Sequence, residues 1–396
     1  MDFAKRTNRI QPSQTLAITA LVDSLRRSGK DIVDLGAGEP DFDTPEIVKK
    51  AAIQAIHDGF TKYTPASGIL ELKEAISEKF RNDNNLEYAP SEILVCCGAK
   101  HAIINCLLAL CQEGDEVIIQ APYWTSYYEQ INFVDAKPIV LKSDESTNFT
   151  ITPGQLREAV SDRTKLLLLN SPSNPTGAVY SLPDLTAIAE LAQKYDFYIL
   201  SDEIYEKIIY DSASHESIAR FPELRERVIV VNGVSKAFAM TGWRIGYLAA
   251  PEQIVKAIVK VQSHSTSNPC SISQKASIAA LKAGDSIINV MVSAFQERRN
   301  YLFAQLQQIP GMTCVLPQGA FYMFPNVSEI FGSVYHGKTL KNSMDFCSFL
   351  LESARVALVP GEAFGSTENV RISYATSMEN LTEAVSRMKG ALTSLS

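Results

Sequence analysis

Asn232-Gly233-Val234-Ser235-Lys236-Ala237-Phe238-Ala239-Met240-Thr241-Gly242-Trp243-Arg244 follows the apolar run Val228-Ile229-Val230-Val231, and its reading decides that of the rest of the chain. One lysine stands just past a strand end, with an arginine eight residues beyond it. A lysine amine can condense with an aldehyde to a Schiff base, while small residues and an arginine hold a phosphate beside it. A surface lysine in a loop is the competing reading, so the choice depends on the company Lys236 keeps elsewhere.

Outward from this stretch, short apolar runs occupy 93–97, 117–120, 138–141, 165–169, 197–201, 228–232 and 246–249. Several are continuous rather than alternating, as strands are when helices cover both faces of their sheet. Between them, 99–112 and 182–195 repeat apolar residues at helical spacing. The expected fold is α/β: a mostly parallel, mixed seven-stranded sheet covered by helices over residues 45–285, with a smaller α+β domain at 286–396. That smaller part reads as a long charged helix from Phe295 to Leu306, short strands near 313–324 and 370–374, and a final helix from about 379. Residues 1–44 read as an amino-terminal arm plus part of the smaller domain, with a helix over 18–29 leading into the strand Ile32-Val33-Asp34-Leu35.

The composition is that of a soluble globular protein: 46% hydrophobic, 20% charged, and 37 basic against 44 acidic residues for a net charge of -7. This balance gives no general attraction to nucleic acid or to an anionic membrane. Seven cysteines (Cys96, Cys97, Cys106, Cys111, Cys270, Cys314, Cys347) are odd in number and scattered, which reads as buried thiols in a reducing compartment. His57, His101, His215, His264 and His336 lack metal-like spacing, and no metal is expected. The first fifteen residues lack the apolar core of a signal peptide, and no run reaches the roughly 18 apolar residues of a membrane helix, so the cytoplasm is the expected location.

In such a sheet, ligands bind beyond the carboxyl ends of the strands. Gly98-Ala99-Lys100-His101 there is a small turn opening a helix whose free N–H groups suit a phosphate. No G-x-G-x-x-G follows a strand and no P-loop occurs, which weighs against nucleotide cofactors. Ala121-Pro122-Tyr123-Trp124 puts a large aromatic at the sheet edge, either to stack on a flat ring or to fill a seam. Asn170-Ser171-Pro172-Ser173-Asn174-Pro175-Thr176-Gly177 is a stiff turn that holds Asn174. Asp202, before Glu203-Ile204-Tyr205, is open to three roles: metal ligand, helix cap, or partner of a cofactor nitrogen. Only the last role uses all the other features, because a carboxylate beside a pyridine nitrogen favours its protonated, electron-drawing form.

Together, SKAFAMTGWRIGY (235–247), NSPSNPTGAVY (170–180), SDEIYE (201–206), AGEPDFDTP (37–45) and KYTPASGILELKEAI (62–76) resemble the fold type I pyridoxal-phosphate aminotransferases of the aspartate aminotransferase family, most closely the bacterial and plastid aspartate/prephenate branch. The resemblance runs from Ser13 to the carboxyl-terminal helix. It implies pyridoxal 5'-phosphate held by Lys236 as a Schiff base, with Gly98, Ala99, Lys100, Ser235 and Arg244 around the phosphate. It further implies that Trp124 stacks on the ring, that Asn174 and Tyr205 bond the phenolic oxygen, and that Asp202 faces the ring nitrogen. Lys236, Asp202 and Tyr205 would be the catalytic set. Arg371 would grip the substrate α-carboxylate with help from Asn174 and the backbone of Gly38, and Trp124 would also face the substrate. Lys100 and Thr15 would recognise a distal carboxylate, and Phe364 would be either a hydrophobic wall or a turn residue. Tyr63 would reach the phosphate of the other subunit, implying a homodimer with shared active sites; read from the residues alone, it is equally an ordinary half-buried ring.

The implied reaction is a ping-pong transfer of the amino group between L-aspartate and 2-oxoglutarate, giving oxaloacetate and L-glutamate. The alternatives are a glutamate/aspartate-prephenate aminotransferase, an aromatic or alanine aminotransferase, and a lyase using the same cofactor. A transcription regulator with such a ligand domain is disfavoured, since no basic DNA-binding helix occurs in the sequence.

Overall fold

A computed structural model describes residues 3–395. After the short β1 (Val33–Asp34) come β2 (Ile93–Cys96), β3 (Glu116–Ala121), β4 (Lys137–Lys142), β5 (Thr164–Asn170), β6 (Tyr198–Asp202), β7 (Val228–Gly233) and β8 (Gly246–Ala249). These last seven form one sheet in the order β2-β8-β7-β6-β5-β3-β4. Neighbours from β4 through β7 run parallel, whereas β8 is antiparallel to both β7 and β2. Each apolar run of the sequence is thus one strand of one mixed sheet.

The continuity of those runs has a direct cause. Leu94, Val117, Ile119, Leu166, Leu168, Leu200, Ile229, Val231 and Leu248 face one core. Their neighbours Ile93, Val95, Ile118, Leu167, Leu169, Ile199, Val228, Val230 and Tyr247 face the other. Successive strand residues point to opposite faces, so two covered faces demand two apolar sets. Helices Ala99–Leu110, Thr125–Phe133 and Glu252–Ser265 cover the first face; Leu70–Asn84, Leu182–Tyr195 and Ser271–Ala283 cover the second. The edge strand β4 is only partly buried and begins Lys137-Pro138, both unfavourable to further pairing. Trp124 is not at the sheet edge as expected: β3, which leads to it, lies between β5 and β4.

A further core gathers Val33 and Leu35 with Phe295, Leu302, Phe321, Tyr322, Ile372 and Leu381, so the strand near the amino terminus packs with carboxyl-terminal elements. The remaining strands are β9 (Tyr322–Met323), β10 (Val334–Tyr335), β11 (Lys338–Thr339), β12 (Val356–Ala357), β13 (Val359–Pro360) and β14 (Val370–Ser373). β1 runs parallel to β12, and β13-β14-β9 form a three-stranded antiparallel sheet. The first long helix spans Gln14–Arg27, with Ser13 as its N-cap, and so begins four residues before the expected start at 18. The charged helix likewise starts early, at Asn289, and the last one spans Met378–Leu392.

One close approach fixes how the sheet meets the helix after β2. Gly246 opens β8 opposite Cys96, and a Cβ there would lie 2.2 Å from the Ala99 nitrogen and 2.4 Å from the Gly98 carbonyl carbon. These are backbone atoms, so relief requires the strand and the turn to separate. Gly246→Ala is expected to destabilise the protein by roughly 2–4 kcal/mol. Gly390→Ala, in a helix with nothing within 4 Å of the added carbon, should instead raise stability slightly. Thermal denaturation of both variants checks the contrast.

Candidate active site

At the carboxyl ends of β3, β5, β6 and β7, a cavity of about 520 Å³ is lined by Thr15, Gly38, Ala99, Lys100, Trp124, Asn174, Asp202, Tyr205, Ser235, Lys236, Arg244 and Arg371, among others. All the expected site residues therefore meet there except Gly98 and Tyr63. Gly98 lies just beneath: its φ is +94°, and a Cβ on it would stand 2.5 Å from Nη2 of Arg244. Only glycine combines that backbone with that proximity. Tyr63 is 91% exposed, which corrects the reading of a half-buried ring.

The Gly98 carbonyl accepts from the His101 and Ala102 N–H groups, leaving those of Ala99 and Lys100 as the turn's donors toward the cavity. Arg244 braces this end by donating from Nη1 to the Thr241 carbonyl at 2.7 Å and from Nη2 to the Cys97 carbonyl at 3.4 Å. With the buried Ser235 beside them, these groups form a cationic, donor-rich cradle suited to a phosphate.

Lys236 lies on the reversal between β7 and β8, and its amine donates to the Gly38 carbonyl at 2.6 Å. Burial lowers its pKa to about 8; Glu39 opposes that shift, while Arg371 and Arg244 add to it. The segment carrying Gly38 is stitched to the same reversal, since Thr44 donates to the Ala239 carbonyl at 2.7 Å and the Trp243 indole donates to Thr44 at 2.9 Å.

Asp202 ends β6 fully enclosed. Its Oδ2 accepts from the Tyr127 hydroxyl at 2.6 Å and its Oδ1 from the Ile204 N–H at 3.2 Å. Burial raises its pKa to about 6 against the pull of the Tyr127 hydrogen bond. Trp124 meets Tyr127 edge-on at 5.3 Å, and the Lys100 amine stands 4.9 Å over the Trp124 ring. Lys100 is itself exposed, and its pKa is lowered by partial burial of the amine and by Arg244. Thr15, at the first helix, shares a hydrogen bond with Ser13 at 2.9 Å.

Arg371, on β14, is 2% exposed and forms no ion pair with a carboxylate among the described residues. Nη1 donates to Asn174 Oδ1 at 3.1 Å, Nη2 donates to the Gly36 carbonyl at 2.7 Å, and Nε has no hydrogen-bond partner among the described residues. Its guanidinium stands 4.5 Å from the Tyr322 ring and 5.0 Å from that of Phe364, which ends the turn Gly361–Phe364. The backbone carbonyl at Arg371 is that of Gly36, while that of Gly38 accepts from Lys236. A buried cation without a counter-ion is costly, and an incoming carboxylate would relieve it.

Two carboxylates and an imidazole also converge at Glu203, Glu206 and His215, outside the cavity. Glu206 is ion-paired with Lys79, and Glu203 is bonded by Ser201, Ser217 and His215, so these groups satisfy one another. Tyr127, Tyr322, Gly36 and Gly246 escaped the sequence reading. Tyr127 was discernible in principle, because it follows Trp124 by three residues and shares its helix face.

Comparison with known proteins agrees with this geometry. The family described as Aminotransferase class I and II matches residues 30–388. The chain is 48% identical to the aspartate aminotransferase of Bacillus subtilis (strain 168) over 98% of each chain. It is 47% identical to the aspartate/prephenate aminotransferase of Nitrosomonas europaea over 99% of this chain and 100% of the other. Among solved structures, the aspartate aminotransferase of Rhizobium meliloti superposes with a TM-score of 0.97 at 46% identity, covering 100% of both chains. That of Thermus thermophilus, solved with maleate, gives 0.93 at 42% identity over 99% of this chain and 100% of the other. The chain belongs to the class I and II aminotransferases, as a fold type I pyridoxal-phosphate enzyme of the aspartate aminotransferase family.

Proposed function

We propose that the protein reversibly transfers the amino group of L-aspartate to 2-oxoglutarate, giving oxaloacetate and L-glutamate, with pyridoxal 5'-phosphate as its cofactor. The observation that carries this reading is the buried Arg371 guanidinium, without an ion-paired carboxylate among the described residues, in the same cavity as the Lys236 amine and the Lys100 amine. A dicarboxylic amino acid needs a cation for each carboxylate. The relatives named for aspartate, and the Thermus thermophilus structure with maleate, support the same choice. The Nitrosomonas europaea relative supports prephenate as a further acceptor.

The cleft also fits the cofactor. The glycine turn at Gly98 and the Arg244 brace suit its phosphate, the Lys236 amine its aldehyde, and the enclosed Asp202 carboxylate its ring nitrogen. When bound, the cofactor supplies an aldehyde for the amino group and a ring that draws electrons from the substrate Cα. With a pKa near 8, the Lys236 amine is substantially neutral in mildly basic solution and able to accept a proton. Released from the Gly38 carbonyl, one amine on a flexible stem can take a proton from Cα and return it nearby on the same face. Arg371 fixes the α-carboxylate by charge and fork geometry, and Lys100 with Thr15 receives the distal one. Tyr127 holds Oδ2 of Asp202 in place, favouring the ionised carboxylate.

We further propose a homodimer in which Tyr63 of the partner subunit reaches the phosphate end of each site. In support, Tyr63, Ile53, Ile56 and Leu70 are each more than half exposed in the single chain. The seven free cysteines favour the cytoplasm as its compartment. We propose the division into 1–44, 45–285 and 286–396 on the grounds that the large sheet lies in the middle segment and the smaller core draws mainly on the outer two, with Ile204, Tyr205, Ile208 and Tyr210 reaching into it from the middle.

In holoenzyme, borohydride is expected to fix the cofactor on Lys236, identified by peptide mass; a cofactor-replete protein with no such adduct rules the chemistry out. Aspartate with 2-oxoglutarate should give the highest kcat/KM among aspartate, glutamate, phenylalanine and alanine as donors and oxaloacetate, 2-oxoglutarate and prephenate as acceptors; preference for phenylalanine or alanine reverses the substrate assignment. Lys100→Ala should raise KM for aspartate about ten-fold while leaving that for alanine nearly unchanged. For Asp202, a folded pKa raised from 3.8 to about 6 means that the ionised carboxylate opposes folding of cofactor-free protein above pH 6, and that the penalty fades as pH falls toward 4. Asp202→Asn should therefore stabilise cofactor-free protein by roughly 2–3 kcal/mol at pH 8, with little effect near pH 4, and should nearly abolish transamination. Denaturation midpoints at the two pH values check the sign.

A further inference from the structure

Tyr322 stands where the two halves of the cleft meet. Its hydroxyl is 3.0 Å from that of Tyr205, with both side chains buried and the rings edge-on at 5.9 Å and 82°. Tyr205 follows β6 of the large sheet; Tyr322 belongs to β9, where it pairs with Ser373 of β14, two residues after Arg371. The Arg371 guanidinium lies 4.5 Å from the Tyr322 ring centroid. A Cβ on Gly38 would meet the Tyr322 oxygen at 3.5 Å, so the same phenol borders the backbone that accepts the Lys236 amine. One side chain thus touches groups serving three separate tasks.

Each phenol carries a single proton, so one member of the pair donates and the other accepts. Local charge decides the direction. The Arg371 cation lies against the Tyr322 ring and makes its proton the easier to share, whereas the nearby Asp202 carboxylate makes Tyr205 the poorer acid and the better acceptor. We infer that Tyr322 is a positioning residue: its hydroxyl donates to Tyr205, directing the remaining Tyr205 proton into the cavity, while its ring backs the Arg371 guanidinium. Both tyrosines line that cavity, so a ligand oxygen meets a donor that is already oriented. This role rests on the aminotransferase reading of the cleft. It ties the carboxylate grip, carried by the smaller core, to the cofactor groups carried by the large sheet.

Tyr322→Phe and Tyr322→Leu separate hydroxyl from ring. The underlying reading is tested first on wild type: absence of a borohydride-fixed Lys236 adduct would overturn that reading rather than this one. Given the adduct, pyridoxal phosphate titrated into cofactor-free Tyr322→Phe should bind about five-fold more weakly than to wild type. The pH midpoint of the bound cofactor's absorbance change should also move, while the Kd for maleate stays within about two-fold because the ring remains. In Tyr322→Leu, maleate should weaken about ten-fold as well, with loss of the surface behind Arg371. If the Phe variant keeps wild-type cofactor affinity and absorbance titration, the hydroxyl has no such role. If the Leu variant binds maleate as the Phe variant does, the ring has none. Tyr322→Met replaces the Leu variant should circular dichroism show that it does not fold.

Discussion

Withdrawal of charge from water is the constraint on which the rest of the structure depends. Lys236, Asp202 and Arg371 are all held in one cleft where burial disfavours their charged forms, bringing the amine down to about 8 and the carboxyl up to about 6. None of them is neutralised by a close ion pair among the described residues, although ion pairs are plentiful elsewhere, as at Lys79 with Glu206 or Arg299 with Asp211. The cleft is therefore built at a standing electrostatic cost that a bound anion and a protonated ring nitrogen would relieve. That cost is bearable because two large apolar cores flank it.

Those cores explain how such different segments are brought to one place. The parallel strands β3, β5, β6 and β7 all end at the same side of the sheet, so the residues after them converge by topology. The reversal from β7 into antiparallel β8 then folds Lys236 back over that end and returns Arg244 to the turn at Gly98. Gly246 permits the contact, since any side chain there would push β8 off the Gly98-Ala99 backbone. The fourth contribution comes from a different core: β14 presents Arg371, and Leu35 accepts the Ser373 N–H at 2.7 Å, which brings the Gly36 carbonyl to the guanidinium.

Much of this was legible beforehand, for identifiable reasons. Strands buried on both faces read as unbroken apolar runs, so all seven strands of the large sheet were visible. Motif residues such as Asp202 and Lys236 sit at strand ends, where local sequence announces a turn. Tyr127, Tyr322 and Gly36 were not visible, because their significance lies in the atoms opposite them: Asp202 Oδ2, the Tyr205 hydroxyl and an Arg371 nitrogen. Gly38 lies in the AGEPDFDTP motif and Gly36 just before it, and only the path of the chain decides which carbonyl faces lysine and which faces arginine.

By itself the sequence determined the kind of chemistry, since a lysine, an aspartate and an arginine at defined points of an alternating α/β pattern specify the groups a reaction can use. It also determined the sheet, because periodicity and burial are local properties of a strand. Only the tertiary structure decided the electrostatic state of those groups and their orientation. Desolvation depends on everything packed around a side chain, and a hydrogen bond such as that of Tyr205 with Tyr322 joins residues more than a hundred positions apart.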